Sequence, residues 1–453
     1  MASELMKSVS GIRGIVGETM TPELVLNIAR AFAQYVHCGK VVIGRDGRCT
    51  GHAISAIAES VLTMYGCDVV DLGVVPTPTV QIMVEELDAA GGIIISASHN
   101  PIEWNAFKLV KNDGTFLNSR EIEHFFDILE KGSNRPKVWD EVGQSYTTDN
   151  AFTSHIRRVV NNVSVSTIKR RRFKVALDSV NASGSYITAE LLNYLNCKTV
   201  PVYCEITGTF PRVAEPQAQN LSDLSEAVLR YKCDVGFAQD PDADRLALID
   251  EMGAPLSEEY TLALVTEHLL SKMKGRVVTN LSTTKAVEDI AAKYGVECVR
   301  TPVGEIHVVE EMRRGARIGG EGNGGIISPD VHLGRDSLAG IAYILDMMAE
   351  RKKTLSELFD ELPRYHMRKG KVSFSRAKLK GLYAKIKKTF KNEKISDIDG
   401  IRIDFKTIEK FENGWVHLRP SNTEPVFRII AEADTIEKCE AIYNYCGRLI
   451  KSL

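Results

Sequence analysis

The chain has 453 residues and a formal net charge of −2, with 44% apolar and 26% charged residues, proportions ordinary for a soluble globular protein. Its length is too great for one hydrophobic core and suggests about three domains of roughly 150 residues each; its near-neutral charge excludes a global field favouring nucleic acid or membrane. Nine irregularly spaced cysteines without a CxxC pair argue against a disulfide framework or a zinc site and fit a reducing cytoplasm.

The N-terminal "MASELMKSVSGIRG" has no apolar signal core, and no uninterrupted apolar run reaches bilayer length. The first clear pattern is "KVVIGRDGR", a strand entering a polar loop. It is followed by helical "AISAIAESVLTMYG", then "CDVVDLGVVPTPTV", then the apolar strand of "AAGGIIISASHNP". That strand stops in Ser98, His99, Asn100 and Pro101. Three readings of the stop compete: a plain turn, a hydrolase serine with a histidine base, and a serine carrying a phosphoryl group. A hydrolase elbow requires G-x-S-x-G, whereas Ala97 and His99 flank Ser98. Neighbouring side chains of an extended segment point opposite ways, which turns His99 from Ser98 and leaves it a positioning or turn residue. The following "WNAFK" offers Lys108 as a proton shuttle or phosphate clamp.

Residues 132–136 (Gly-Ser-Asn-Arg-Pro) read as a loop near the first boundary. "KRRRFK", Lys169 to Lys174, reads as a solvated strand entrance. A second unit runs "FKVALDSVNASG", "SYITAELLNYLN", "CKTVPVYCEI", "CDVGFAQDPDADR"; a third runs "GRVVTNLSTTKA", "VEDIAAKYG", "VECVRTPVG", "ARIGGEGNGG". Each unit is strand, loop, helix, short strand, then a last strand ending in a polar loop. This is a domain-level repeat with parallel α/β layers. Ligands of open α/β sheets bind beyond the carboxyl ends of strands, so "SASHNP", "DPDADR" and "GEGNGG" hold equivalent places and can converge on one cleft. From about residue 370 the pattern changes to a small α+β domain with a mostly antiparallel sheet. The expected domains are 1–150, 151–252, 253–370 and 371–453.

In "DPDADR", Asp240, Asp242 and Asp244 alternate and Arg245 closes the set. Carboxylates this close repel one another unless a cation neutralises them, and oxygen-only ligands suit Mg²⁺ or Ca²⁺. An EF-hand fits poorly: Glu251 falls at its twelfth position, but Arg245 stands where that loop needs glycine, and the flanks read as strands. Three aspartates leave coordination positions open, which suits Mg²⁺ sharing its shell with a phosphate. "GGEGNGG" sets Glu321 and Asn323, good partners for sugar hydroxyls, between glycines that permit close approach. It is not a dinucleotide fingerprint. In the tail, "RPSNTEPVFR" gathers Arg419, Ser421, Asn422, Thr423 and Arg428 around one turn, a set of guanidinium forks and hydroxyls suited to phosphate.

With "SGIRG" (10–14), "GRDGR" (44–48), "SASHNP", "DPDADR", "TPVGE", "GGEGNGG" and "RPSNTEP" in this order, the chain resembles the α-D-phosphohexomutases nearly end to end. The resemblance implies an α/β protein of four domains, three related mixed-sheet domains plus a C-terminal α+β domain, around a central cleft. It implies a phosphoserine at Ser98, with Mg²⁺ held by Ser98, Asp240, Asp242 and Asp244. It also implies Glu321 and Asn323 at the sugar, and Arg419, Ser421, Asn422, Thr423 and Arg428 at the distal phosphate. Arg13, His99, Lys108 and Arg245 would lie near the transferred phosphoryl. The implied reaction interconverts hexose 1- and 6-phosphates of glucose or mannose, with glucosamine phosphates as the alternative. A bisphosphorylated sugar is its intermediate and activator. The implied protein is a cytoplasmic monomer or homodimer with no nucleic-acid or membrane partner.

Departures from the family pattern are local. Many members read G-E-x-S-G-H in the sugar loop; here Asn323 replaces the serine and Gly325 the histidine. Some carry a histidine after "VG", where Glu305 stands, with His307 two residues on. Ala106 stands where glycine is usual, and the proline and alanine of "DPDADR" stiffen that loop. Lys108 is the first choice for the general acid/base. Two other classes compete. A serine hydrolase on Ser98 and His99 predicts fluorophosphonate labelling without metal, and a non-catalytic binding module predicts no phosphoryl group on the purified protein.

Overall fold

Local chemistry sets the element ends. The helix Pro22–Tyr35 starts where the Thr21 side chain accepts from the Leu24 amide, and it buries Val25, Ile28, Ala29 and Phe32 on one face. Helix Ser119–Lys131 opens with a reciprocal capping box between Asn118 and Glu121. A computed structural model describes residues 5–132, 134–374, 379–420 and 426–451.

Three sheets share one plan. In the first, Val41–Arg45 lies between Val69–Val74 and Gly91–Ile95, all parallel. Lys174–Asp178 lies likewise between Lys198–Tyr203 and Val235–Gln239. The third sheet repeats this with Arg276–Asn280 between Cys298–Thr301 and Ala316–Glu321. An antiparallel strand then pairs with the last of each three: Trp104–Lys111, Leu246–Ile249 and Gly325–Ile327. The first sheet adds Gly11–Ile15 and Met6–Ser8 beyond Trp104–Lys111, and Ser145–Thr147 at its other edge.

Each unit holds one helix more than its sequence pattern suggests. Thr77–Glu86, Ser222–Tyr231 and Glu305–Met312 return the chain from the second strand to the third. Parallel strands cannot be joined by a tight turn, so a crossover is required. Thr77–Glu86 escapes the pattern because Thr77 to Val84 are all buried, leaving no polar face to mark a helix. "KRRRFK" is also placed differently: its first three residues close the helix Val165–Arg171, and Arg170, Arg171 and Arg172 are solvated.

The fourth sheet is antiparallel throughout, in the order His366–Ser373, Val426–Ala433, Trp415–Pro420, Ile401–Asp404, Lys394–Ser396. Its first strand straddles residue 370. One apolar cluster runs from Ile156 to Leu362 and joins the second and third domains. The first domain packs apolar clusters on both faces of its sheet, and the fourth has its own. The joint between the third and fourth domains is rich in polar contacts. Ser282 Oγ meets His417 Nδ1 at 2.8 Å, the Val303 amide donates to Asp399 Oδ2 at 3.0 Å, and the Lys285 amide donates to Glu432 Oε1 at 2.7 Å. All nine cysteines are unpaired, and no described helix is long and apolar enough to cross a membrane.

Candidate active site

The strand Gly91–Ile95 ends in a loop where Ser98 takes φ 50°, a left-handed conformation that a non-glycine residue adopts only under external constraint. The constraint comes from "GRDGR". Arg48 Nη2 donates to the carbonyls of Ser98 (2.7 Å) and Asn100 (2.8 Å), and Nη1 to those of Pro101 (2.5 Å) and Trp104 (3.0 Å). Asp46 accepts from Arg48 Nε at 3.1 Å and from Ser96 Oγ at 2.7 Å, and Ser96 Oγ accepts from the Ser98 amide at 2.9 Å. Sequence reasoning gave these residues no role. Arg48→Met strips one donor from each of four carbonyls and the countercharge from the buried Asp46, and is expected to lower unfolding free energy by about 3–5 kcal/mol in urea titrations.

From the loop after Val235–Gln239, Asp240 Oδ2 accepts from Ser98 Oγ at 2.8 Å. Lys108 Nζ lies 2.5 Å from Asp242 Oδ2 and 3.8 Å from Asp244 Oδ2, and Thr77 Oγ1 donates to Asp242 Oδ2 at 2.6 Å. Asp240, Asp242 and Asp244 are all fully buried, and each offers a carboxylate oxygen within 4.8 Å of the others. Asp242 Oδ1 and Asp244 Oδ1 have no hydrogen-bond partner. Two orphaned buried acceptors beside a third carboxylate are a donor set that a hard divalent cation satisfies. Burial and the charges of Asp244 and Asp242 push the Asp240 carboxyl well above its usual range. Burial alone would raise Asp242 too, but the Lys108 ammonium and the Thr77 hydroxyl hold it well below.

Around this centre, Arg245 pairs with Glu215 at 3.0 Å and lies 3.7 Å from Asp244. Arg13, on the strand Gly11–Ile15, donates from Nη1 to Asn100 Oδ1 at 2.8 Å. His99 departs from expectation. Ser98 is not extended, so the turn brings His99 Nδ1 to 3.4 Å from Ser98 Oγ. His99 is still a poor base for a different reason: Arg245, burial and Arg13 push its imidazole down to about 2.

The strand Ala316–Glu321 carries the third loop. Glu321 is buried and accepts from Asn280 Nδ2 at 2.8 Å, the Gly304 amide at 3.0 Å and Arg335 Nη1 at 3.2 Å. Asn323 Oδ1 accepts from the Gly325 amide at 3.1 Å, within its own loop. Gly324 takes φ 85°, and its carbonyl accepts from the Leu246 amide at 3.0 Å, tying this loop to the strand that follows the three aspartates. Glu305 accepts from Arg335 Nε at 2.9 Å, a contact that nothing in the spacing foretold. In the fourth domain Arg419 and Arg428 lie directly opposite each other on neighbouring antiparallel strands. Arg428 is exposed, and Arg419 lies 3.6 Å from Asp399. Ser421, Asn422 and Thr423 lie outside the described residues.

Models of the phosphoglucomutase/phosphomannomutase alpha/beta/alpha domains I, II and III match residues 5–136, 151–253 and 257–365, and the C-terminal domain model matches 372–444. A probable phosphoglucosamine mutase of Methanopyrus kandleri is 36% identical over 441 residues, covering 96% of this chain and 95% of the relative. The chain belongs to the phosphoglucomutase/phosphomannomutase family. A phosphoglucomutase/phosphomannomutase of Thermococcus kodakarensis is 38% identical over 441 residues, covering 94% of each chain. Among solved structures, a phosphoglucomutase/phosphomannomutase family protein from Burkholderia thailandensis superposes with TM-score 0.85 at 25% identity, over 99% of this chain and 98% of that one. The chain is thus an isomerase of the phosphomutase class, and its four-domain architecture is that of the family.

Proposed function

We propose that this mutase interconverts the 1- and 6-phosphates of glucose or mannose through a phosphoryl group carried on Ser98. The observation that carries the reading is the 2.8 Å contact between Ser98 Oγ and Asp240, beside two buried carboxylate oxygens that lack a hydrogen-bond partner. Ser98, Asp240, Asp242 and Asp244 would hold Mg²⁺, whose charge would neutralise the phosphoryl oxygens.

The residues then divide the work. As the Ser98 Oγ–phosphorus bond breaks, a bond forms from one sugar hydroxyl oxygen to phosphorus. That hydroxyl gives up a proton and Ser98 Oγ regains one, with Lys108 as the shuttle. The restored serine hydroxyl donates to Asp240. Arg13 and Arg245 offset phosphoryl charge, and His99, held neutral by its arginine neighbours, positions rather than exchanges protons. Glu321 and Asn323 orient the sugar, while Arg419, Ser421, Asn422, Thr423 and Arg428 grip the distal phosphate. The bisphosphorylated sugar turns over so that its other phosphoryl returns to Ser98, and one distal site serves both orientations. Added sugar bisphosphate would activate the enzyme by phosphorylating Ser98.

Glucosamine phosphate is the second reading, favoured by relatives named as probable phosphoglucosamine mutases. Turnover of glucose, mannose and glucosamine 1-phosphates, side by side with a sugar bisphosphate and Mg²⁺, decides between the sugars. Failure on all three would overturn the proposal.

A further inference from the structure

Arg335 is 8% exposed, and its guanidinium reaches three carboxylates from three different segments. Nη2 donates to Asp244 Oδ2 at 2.6 Å, Nη1 to Glu321 Oε2 at 3.2 Å, and Nε to Glu305 Oε2 at 2.9 Å, while its own amide donates to Glu305 Oε1 at 3.2 Å. The next residues anchor it. Asp336 caps the helix Ser337–Arg351, accepting from the Leu338 amide at 2.8 Å, and Ser337 Oγ donates to the carbonyl of Ala243 at 2.6 Å. Ala243 sits between two of the three aspartates at φ 50°. Residues 335–337 therefore hold the aspartate loop both by side chain and by backbone.

The sugar loop makes room for this arginine. A Cβ on Gly325 would lie 2.3 Å from Arg335 Cδ and 3.0 Å from Cγ, so the stem of Arg335 fills the volume that any other residue at 325 would need. Asp244 spends Oδ2 on Arg335 and keeps Oδ1 without a hydrogen bond, 3.7 Å from Arg245 Nε. A carboxylate fixed through one oxygen presents the other in a set direction.

We propose that Arg335 is a positioning residue that locks the aspartate loop to the sugar loop, orienting Asp244 toward a bound cation and Glu321 toward the sugar with a single guanidinium. The inference rests on the phosphoserine and metal roles proposed above. A methionine at 335 keeps the stem and loses all three pairs. A lysine keeps the charge but cannot fork to three acceptors in a plane. Gly325→Ala changes no charge and pushes the stem off station.

Three readouts test it: steady-state kcat and KM, Mn²⁺ affinity by electron paramagnetic resonance, and thermal unfolding. Arg335→Met and Gly325→Ala are each expected to lower kcat/KM by about 100-fold, the scale of a misplaced reacting group. Arg335→Lys is expected to recover little of that loss. Gly325→Ala, which keeps the guanidinium charge, is expected to weaken Mn²⁺ binding by about tenfold because Asp244 loses the contact that sets its direction, and Arg335→Met should weaken it less because a competing cation has also left the cluster. Turnover within twofold of wild type in both Gly325→Ala and Arg335→Met would overturn the proposal, as would full rescue by lysine. Mn²⁺ affinity unchanged in Gly325→Ala would also overturn it. If Arg335→Met does not fold, Gly325→Ala and Arg335→Lys decide. An inactive wild-type enzyme would refute the parent reading instead, whereas an active one with unaffected variants refutes this inference alone.

Discussion

Ser98→Ala is expected to abolish turnover on every hexose phosphate, by about 10⁴-fold or more, because no other group can take over a nucleophile that carries the transferred phosphoryl. The variant should still fold. It loses one hydroxyl whose hydrogen bond to Asp240 is worth about 1 kcal/mol, and Asp240 keeps the Asp244 and Arg245 amides as donors to its other oxygen. Its affinity for hexose phosphate should fall little, since the residues proposed for the sugar and the distal phosphate lie on other loops. Intact-protein mass spectrometry supplies the second arm. Wild-type protein treated with sugar bisphosphate should gain the mass of one phosphoryl group, and the alanine variant should not. A serine hydrolase would also lose activity on this substitution, but it would show no phosphoryl mass and would react with a fluorophosphonate. An active alanine variant would end the phosphoserine account.

The second large effect concerns the acid cluster. Three fully buried carboxylates share the partial neutralisation of Lys108, Arg245 and Arg335, and two of their oxygens remain without a hydrogen bond. Chelation is expected to remove turnover, and Mg²⁺ to restore it. A ligand present at 100 times its dissociation constant stabilises the folded state by about 2.7 kcal/mol, so saturating Mg²⁺ should raise the thermal midpoint of unfolding over that in chelator. Asp242→Asn is expected to weaken divalent binding by about 100-fold and turnover by about 1,000-fold. The asparagine leaves the Lys108 ammonium without its nearest countercharge, and an ammonium so released beside the aspartates would repel an incoming cation. Identical melting curves with Mg²⁺ and with chelator would refute a resident cation at these aspartates.

The equivalence of three loops was legible because each follows a short apolar strand, and because alternating aspartates have few explanations other than a cation. The crossover helices were not. Thr77–Glu86 is covered by protein on nearly every side, so its sequence lacks the polar stripe that betrays a surface helix. Arg48 and Arg335 were invisible for another reason: they act at a distance along the chain. Arg48 holds the carbonyl of Ser98, and Arg335 holds Asp244 from the far side of the aspartate loop. No local spacing encodes such partnerships. His99 shows the limit of an idealised backbone. The alternation rule assumes an extended strand, and one left-handed residue at Ser98 was enough to bring the two side chains to the same side.

The second and third domains share one apolar cluster, whereas the fourth meets its neighbour through side-chain and backbone hydrogen bonds such as Ser282 to His417 and Val303 to Asp399. Parting the first kind of seam would wet hydrocarbon. Parting the second mainly exchanges protein partners for water at nearly even terms. Among the described contacts, the seam of the fourth domain is thus cheaper to part than the one the second and third domains share.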